Sequence, residues 1–507
     1  MPKVKKINNA LISVFNKDGL LAILEKLHQG GVNFYSTDGT LKLIESLNYP
    51  CQTVEKLTGY PSILDGRVKT LHPKVFGGIL YRRDNESDKK QTEQYDIPKI
   101  DLVIVDLYPF QETVASGAGD EEIIEKIDIG GISLIRAAAK NFNDVLVVAS
   151  KELYSPLESL LSENGVYSTL EERKWFAKEA FAISSAYDTA IFNYFDGSQQ
   201  SYFRYAENNT RILRYGENPH QRGFFYGDFE LLFEQLQGRE ISYNNLLDIE
   251  AALYLISEFN ELTFAILKHT NACGIASRPT VKEAWDAALE ADPVSAFGGI
   301  LICNASIDRD AAEAINEIFF EVIIAPDYDS GALEFLMQKK NRIILIQKAS
   351  PQPKFQFRSL LNGVLAQERD ESIQTENDLK TVSIKSPNKR EIDDLLFANK
   401  VVKYTKSNAI VLVKNKQLCA GGTGQTSRVD ALKQAIEKAQ TFELNIEGAV
   451  MASDAYFPFP DCVEIAGNAG ITAVIQPGGS IKDNLSIEYC NSHDMAMVMT
   501  GIRHFKH

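Results

Sequence analysis

Lys268 and His269 stand side by side where the apolar run Phe264-Ala265-Ile266-Leu267 ends, and the polar stretch Thr270-Asn271-Ala272-Cys273-Gly274 follows. A cation beside a base that titrates near neutrality can hold a developing negative charge and move a proton at one reacting centre. Successive side chains on a strand point to opposite faces. Both groups therefore reach one centre only if the chain leaves strand geometry here, and the glycine-terminated stretch predicts a turn. Alone, such a pair is more often a surface lysine beside a hydrogen-bonded core histidine. The rest of the chain decides.

Elsewhere, polar and basic residues gather where apolar runs give way to helical patterns. Ser13 and Lys17 open one helix, and Ser36, Thr37, Asp38 and Thr40 open the next. Free N–H groups at a helix start, joined by hydroxyls, form an anion site, although a single such loop serves equally as an N-cap. Arg67, Lys69, Thr70 and His72, within Asp65–Pro73, suit a phosphate or an oxyanion. Asp128-Ile-Gly-Gly131 leads into a helix carrying Arg136 and Lys140 four residues apart on one face. The alanines between them predict apolar surroundings that would let Lys140 act on a proton; the alternative is a complement to the helix dipole. Further on, Arg214–Gln221 and Ser242–Asp248 are dense in hydrogen-bonding side chains, including Tyr215 and Asn245. Phe297-Gly298-Gly299 would let a flat ring approach the backbone. Gly421–Arg428 is a generic phosphate-like loop without the Walker lysine. Asp454–Phe459 offers an aromatic wall, and Arg503 lies in a tail positioned to seal a site.

These groups need a scaffold. At 507 residues the length suggests roughly three domains of about 150 residues. A formal charge of −15 argues against nucleic acid as a partner, because phosphate backbones need a basic surface. No apolar run suits a signal peptide or a spanning helix, so a cytoplasmic protein without membrane contact is expected. The six cysteines are scattered, and no Cys/His pair has zinc-ligand spacing, so reduced thiols and no metal are expected. Strands fit 10–15, 32–35, 102–107 and 145–149, with helices at 19–27, 41–47 and 171–195; this alternation predicts an α/β parallel sheet covered on both faces. A linker is expected at 196–200. Beyond it, strands near 265, 299–303, 343–346, 409–413, 448–451 and 473–475 form two α/β halves with a polar seam at 366–390, a weak sign of duplication.

Nine stretches in one order resemble a known family over essentially the whole chain. They are Gly66–Pro73, Asp106-Leu-Tyr108-Pro-Phe110, Asp128–Gly131, Arg136–Asn141, Arg214–Gln221, Lys268-His269-x-Asn271, Ser295–Gly299, Ser453–Phe459 and the Arg503-His-Phe505 tail. The family joins AICAR formyltransferase to IMP cyclohydrolase. The resemblance implies a methylglyoxal-synthase-like doubly wound domain over 1–196, which closes the IMP ring, and a duplicated cytidine-deaminase-like α/β domain over 201–507, which transfers the formyl group. It implies 10-formyltetrahydrofolate as co-substrate, no catalytic metal, and a homodimer with the transferase site at its interface. For transfer it marks Lys268, His269 and Asn408 as catalytic, and Arg214, Tyr215, Asn245, Phe297, Gly298, Arg428, Tyr456, Pro458, Asp461, Arg503 and Phe505 as binding residues. For cyclisation it marks Lys69, Tyr108, Asp128 and Lys140 as catalytic, with Ser13, Lys17, Ser36, Thr37, Arg67 and Thr70 around phosphate and ribose. Asp38, Ala272, Asp106 and Tyr456 depart from the usual Gly, Pro, Asn and Phe, departures expected to act on local loop geometry and ring stacking rather than on the reaction. Two rival readings are a non-catalytic ligand sensor, disfavoured by Lys69, Asp128 and Lys140, and a zinc deaminase, disfavoured by the missing ligands.

Overall fold

Short runs of Ala, Leu, Ile and Val become buried strands in the computed structural model, which describes residues 4–197, 201–349 and 353–507, with the backbone alone at Asp38 and Asp65. The chain divides into two units, Met1–Asn208 and Asn209–His507, rather than the three that length suggested. Part of the expected 196–200 linker (198–200) lies outside the described residues.

In the first unit five parallel strands, β1 (Asn9–Ser13), β2 (Asn33–Ser36), β3 (Cys51–Thr53), β4 (Leu102–Val105) and β5 (Leu146–Val148), lie in the order β3-β2-β1-β4-β5. Every residue of β4 and β5 is buried, as expected of strands covered on both faces. The covering helices include α1 (Leu20–Gln29), α2 (Asp38–Ser46), α3 (Gly130–Lys140) and α4 (Leu170–Asp196). Leu20, Ile23, Leu24 and Leu27 repeat at helical spacing and bury one face of α1. A capping box of Thr169 and Glu172 starts α4. The chain steps outward from β1 to β3 and then crosses to β4. Ligands of such sheets bind outside the carboxyl ends of the strands, where the order reverses. That point lies between β1 and β4.

The second unit contains one topology twice. Its first sheet comprises β6 (Phe233–Gln237), β7 (Thr263–Lys268), β8 (Asn271–Ser277), β9 (Ile300–Cys303), β10 (Val322–Ala325) and β11 (Ile343–Gln347), in the order β6-β11-β10-β9-β7-β8. Its second comprises β12 (Lys380–Thr381), β13 (Ile410–Val413), β14 (Leu418–Gly422), β15 (Val450–Ser453), β16 (Ala473–Gln476) and β17 (Ala496–Met499), in the order β12-β17-β16-β15-β13-β14. In each sheet the fourth, fifth and sixth strands run parallel, and the other three pair antiparallel. Helices α5 (Tyr243–Ile256) and α7 (Lys389–Lys403) share a hydrophobic cluster with both sheets, so the two halves have a common core. Helices α6 (Val281–Glu290) and α8 (Arg428–Thr441) cover the other faces. An exposed hairpin, Phe355–Leu360 with Gly363–Glu368, lies between the sheets, so the passage from one half to the other starts well before the polar stretch at 366–390.

The turn expected over Thr270–Gly274 is narrower and earlier: His269 and Thr270 make it, and Asn271–Gly274 already belong to β8. Gly274 serves close packing: a Cβ there would stand 2.0 Å from the Ala288 carbonyl oxygen of α6. At Gly422 in β14 the same distance, to Ala431 of α8, is 1.8 Å. A backbone oxygen inside a helix cannot swing aside. Gly274→Ala should therefore destabilise the second unit by about 1–3 kcal/mol, seen as a lower urea midpoint; an unchanged midpoint would contradict this packing.

Candidate active sites

The loops selected in the first unit lie at the carboxyl ends of its strands. Ser13 Oγ and Thr37 Oγ1 share a 2.7 Å hydrogen bond, which joins the exits of β1 and β2. Lys17 Nζ donates to Phe15 O at 3.3 Å and lies 3.8 Å from where a Cβ on Gly39 would stand, beside the start of α2. Ser36 does not match the expected ligand role: it is fully buried, and its hydroxyl donates to Ile12 O at 2.7 Å, bracing β2 against β1. Asp106, just beyond β4, accepts the N–H groups of Phe15 and Asn16, the latter at 2.7 Å. The Tyr108 ring meets Phe15 edge-on at 5.7 Å.

Asp128 is buried and accepts the N–H groups of Gly131 at 2.5 Å and Ile132 at 3.3 Å at the start of α3. Thr70 reaches the same end, since a Cβ on Gly130 would lie 3.1 Å from its Oγ1. Burial pushes the carboxyls of Asp106 and Asp128 above the usual range, and backbone N–H donors pull them partly back. Burial, aided by the same two carboxylates, raises the Tyr108 phenol. Lys69 is half-buried, whereas Arg67 is exposed and ion-paired with Glu125. His72 caps the next helix through Nδ1, which accepts the Lys74 N–H at 3.2 Å. Only the apolar surroundings expected for Lys140 are corrected: Ala137, Ala138 and Ala139 are buried, but Lys140 is exposed in the last turn of α3, on the same side as Arg136.

In the second unit Lys268 closes β7, and His269 and Thr270 form the whole turn to β8, with φ of +51° and +63°. Two successive left-handed residues give the primed turn that matches hairpin twist, a conformation normally left to Asn and Gly. Lys268 Nζ donates to Phe297 O at 2.7 Å, which brings Phe297 and Gly298 to the ammonium. Gly298, at φ +75°, donates its N–H to Phe319 O at 2.7 Å. Lys268 and His269 line one cleft of about 250 Å³, together with Asn271, Cys273, Thr423 and Lys438. Burial pushes the Cys273 thiol up to about 12, so this neighbour is no ready nucleophile. Asn271 Oδ1 accepts the Lys406 N–H at 2.8 Å, tying the segment that carries Asn408 to the turn. Asn408 Nδ2 in turn donates to Gln425 O at 3.0 Å and Thr426 O at 3.2 Å.

A second group forms around the tail. Arg428 pairs with the fully buried Asp454 at 3.2 Å. The guanidiniums of Arg428 and Arg503 stand 5.6 and 4.3 Å from the Phe505 ring centre. Buried His504 anchors this tail through Asp370 at 2.6 Å and Gln374 at 3.0 Å. Tyr456, Pro458 and Phe459 are exposed, but Phe457 is sealed in the core, so the aromatic wall is narrower than the sequence suggested. Asp461 opens a helix and accepts its neighbour's N–H at 2.9 Å. Arg214 and Tyr215 pair with each other, guanidinium to phenol oxygen, at 2.6 Å. Asn245 is buried as a cap, with Oδ1 taken by the N–H and hydroxyl of Ser242. These last three lie outside the lining of the 250 Å³ cleft. Among the described residues no group of three or more His, Cys, Asp or Glu is arranged to hold a metal. No helix among them is long and apolar enough to cross a membrane.

The fold and the clefts define a two-unit α/β protein with a doubly wound parallel sheet followed by a duplicated mixed-sheet unit, each with polar residues gathered at strand ends. Residues 19–133 match the MGS-like domain, and residues 138–438 match the AICARFT/IMPCHase bienzyme. The chain is 68% identical over 507 residues, all of both chains, to the bifunctional purine biosynthesis protein PurH of Bacteroides thetaiotaomicron. PurH of Chlorobium chlorochromatii is 45% identical, with 99% of both chains covered, and PurH of Persephonella marina is 45% identical, with 98% and 99% covered. The chain belongs to the AICARFT/IMPCHase bienzyme family.

Asp128 yields a pH prediction. Its native pKa is raised by burial, so protonation favours the folded state. Its stabilising effect is fully present below the usual carboxyl pKa and is lost as pH rises through the raised one. The stability of the wild type relative to Asp128→Asn should therefore increase as pH falls through that window. Urea unfolding of both proteins across the acid range checks the sign; the opposite slope would contradict a buried carboxylate.

Proposed function

We propose that the chain performs the last two steps of IMP synthesis: formyl transfer from 10-formyltetrahydrofolate to AICAR, then dehydrative closure of formyl-AICAR. The observation that carries the transferase reading is the left-handed turn that sets His269 and Lys268 on one cleft. The acceptor amine of AICAR is conjugated with its ring and is a poor nucleophile. His269 takes its proton as the amine attacks the formyl carbon. Lys268 steadies the negative charge on the formyl oxygen and helps protonate the folate nitrogen as it leaves, while Asn408 supplies the third polar group. Arg214, Tyr215 and Arg503 grip the nucleotide, with Asn245, Phe297 and Gly298 around its heterocycle. Arg428, Tyr456, Pro458, Asp461 and Phe505 supply the remaining substrate contacts.

Ring closure belongs to residues 1–196, within the first unit, and formyl transfer to residues 201–507. In closure the carboxamide nitrogen attacks the new formyl carbon and water leaves. Because the attack is intramolecular, holding the two ends together supplies most of the acceleration. Lys69, Tyr108, Asp128 and Lys140 orient the amide and carry protons; Ser13, Lys17, Thr37, Arg67 and Thr70 hold phosphate and ribose. The raised carboxyl of Asp128 and phenol of Tyr108, side by side, suit that proton traffic. The protein works in the cytoplasm as a homodimer that completes the transferase site, and neither step calls for a metal.

Loss of a general base costs about 10²–10⁴-fold and loss of an oxyanion donor about 10²–10³-fold. His269→Ala and Lys268→Ala should each lose transfer on that scale while closing formyl-AICAR normally, followed by the ultraviolet absorbance of IMP. Near wild-type transfer by either variant would contradict the assignment. A fragment ending at Asn208 should still close the ring, and a folded but inactive fragment would refute the division of labour.

A further inference from the structure

His269 and Thr270 both hold positive φ without being glycine, a strained conformation that persists only where the surroundings impose it. Two contacts do so. Asp248, on α5, accepts the Thr270 N–H at 2.6 Å and also the backbone N–H of His269. On the carbonyl side, Lys506 Nζ lies 3.5 Å from Thr270 O and donates to Tyr404 O at 2.9 Å. The Lys506 backbone is fixed by reciprocal bonds with Ser407: its N–H to Ser407 Oγ at 3.0 Å, and Ser407 N–H to its carbonyl at 2.9 Å. Burial holds the Asp248 carboxyl above, and the Lys506 ammonium below, their usual ranges, so both contacts operate away from bulk water.

The duplicated half supplies an internal comparison. There the turn between β13 and β14 is Asn415-Lys416, also left-handed at both positions, with φ of +52° and +51°. Asp394, on α7, accepts the Asn415 N–H at 2.9 Å and the Lys416 N–H at 2.7 Å. Asp248 follows its helix N-cap Ser242 by six residues, and Asp394 follows its N-cap Asn388 by six. The same helix position thus clamps the same turn twice, once under a histidine that lines a cleft and once under residues outside that cleft's lining.

We infer that Asp248 is a positioning residue for formyl transfer: it holds the His269-Thr270 turn in the left-handed conformation that places His269 beside Lys268, and Lys506 braces the same turn from its carbonyl side. This rests on the reading of His269 as the base. Asp248→Asn should lower kcat for transfer by about 10²-fold, the scale of a 1 Å misplacement. KM for AICAR should stay within about threefold, and closure of formyl-AICAR should be unchanged, because substrate binding is not what is lost. Glycine at position 270 adopts positive φ freely, so Asp248→Asn combined with Thr270→Gly should regain about tenfold or more in kcat. Asp394→Asn, at the matching position of the other half, should leave kcat for transfer within about twofold.

The proposal is overturned if Asp248→Asn keeps its kcat, if the double variant is as slow as the single one, or if Asp394→Asn is equally slow. Should Asp248→Asn fail to fold, Lys506→Met carries the test: kcat should fall about tenfold with KM unchanged, and an unaltered kcat overturns the proposal. If His269→Ala transfers normally, the functional reading fails as a whole. If His269→Ala is inactive while Asp248→Asn is not slowed, only the clamp fails.

Discussion

A carboxylate that accepts backbone N–H groups from two consecutive left-handed residues organises each half of the second unit. The hairpins β7–β8 and β13–β14 each turn in two residues, and neither turn contains glycine. A strained turn persists only where its surroundings over-determine it. Asp248 and Asp394 provide that determination from helices packed in the core the two sheets share. Because the turn lies where β7 ends, its conformation decides whether His269 follows the alternation of the strand or swings to join Lys268. The cleft, the Phe297 carbonyl under the lysine and the Asn271 link to the Asn408 segment all lie around that turn.

The first unit reaches a related end by different means. Its polar residues converge because the strand order reverses beside β1, so that the loops after β1, β2 and β4 open on the same edge of the sheet. Two carboxylates, the half-buried Asp106 and the buried Asp128, are held there by backbone N–H groups. Such carboxyls keep protons to higher pH than exposed ones. Asp106 stands where the resemblance led us to expect asparagine, and it holds the loop that carries Lys17.

Much of this was legible in the sequence because it was periodic. The parallel strands of the first unit, the helix over 171–195 and the alternation after residue 201 are plain in the apolar pattern, and family resemblance supplied their grouping. What escaped was short or built from small residues. Cys51-Gln52-Thr53 is a three-residue strand without an apolar signature, and β8 is mostly small and polar, so it passed for a turn. The Lys268-His269 pair was visible, but its geometry was not, because no rule of turn composition places His-Thr in a primed turn. Asp248 sat in a motif singled out for hydrogen bonding; its task follows only from helix packing across the hairpin. Burial also escaped: the alanines of α3 gave no indication that Lys140 faces solvent, or that the hydroxyl of Ser36 is spent within the sheet.

The most direct measurement is a crystal structure of the protein with AICAR and a non-reactive formyl-folate analogue bound together. The account predicts the imidazole of His269 and the ammonium of Lys268 within about 2.6–3.2 Å of the amine and the formyl oxygen respectively, with His269 and Thr270 still at positive φ. A complex in which the turn relaxes, or in which the two side chains address different molecules on different faces of the hairpin, would contradict it.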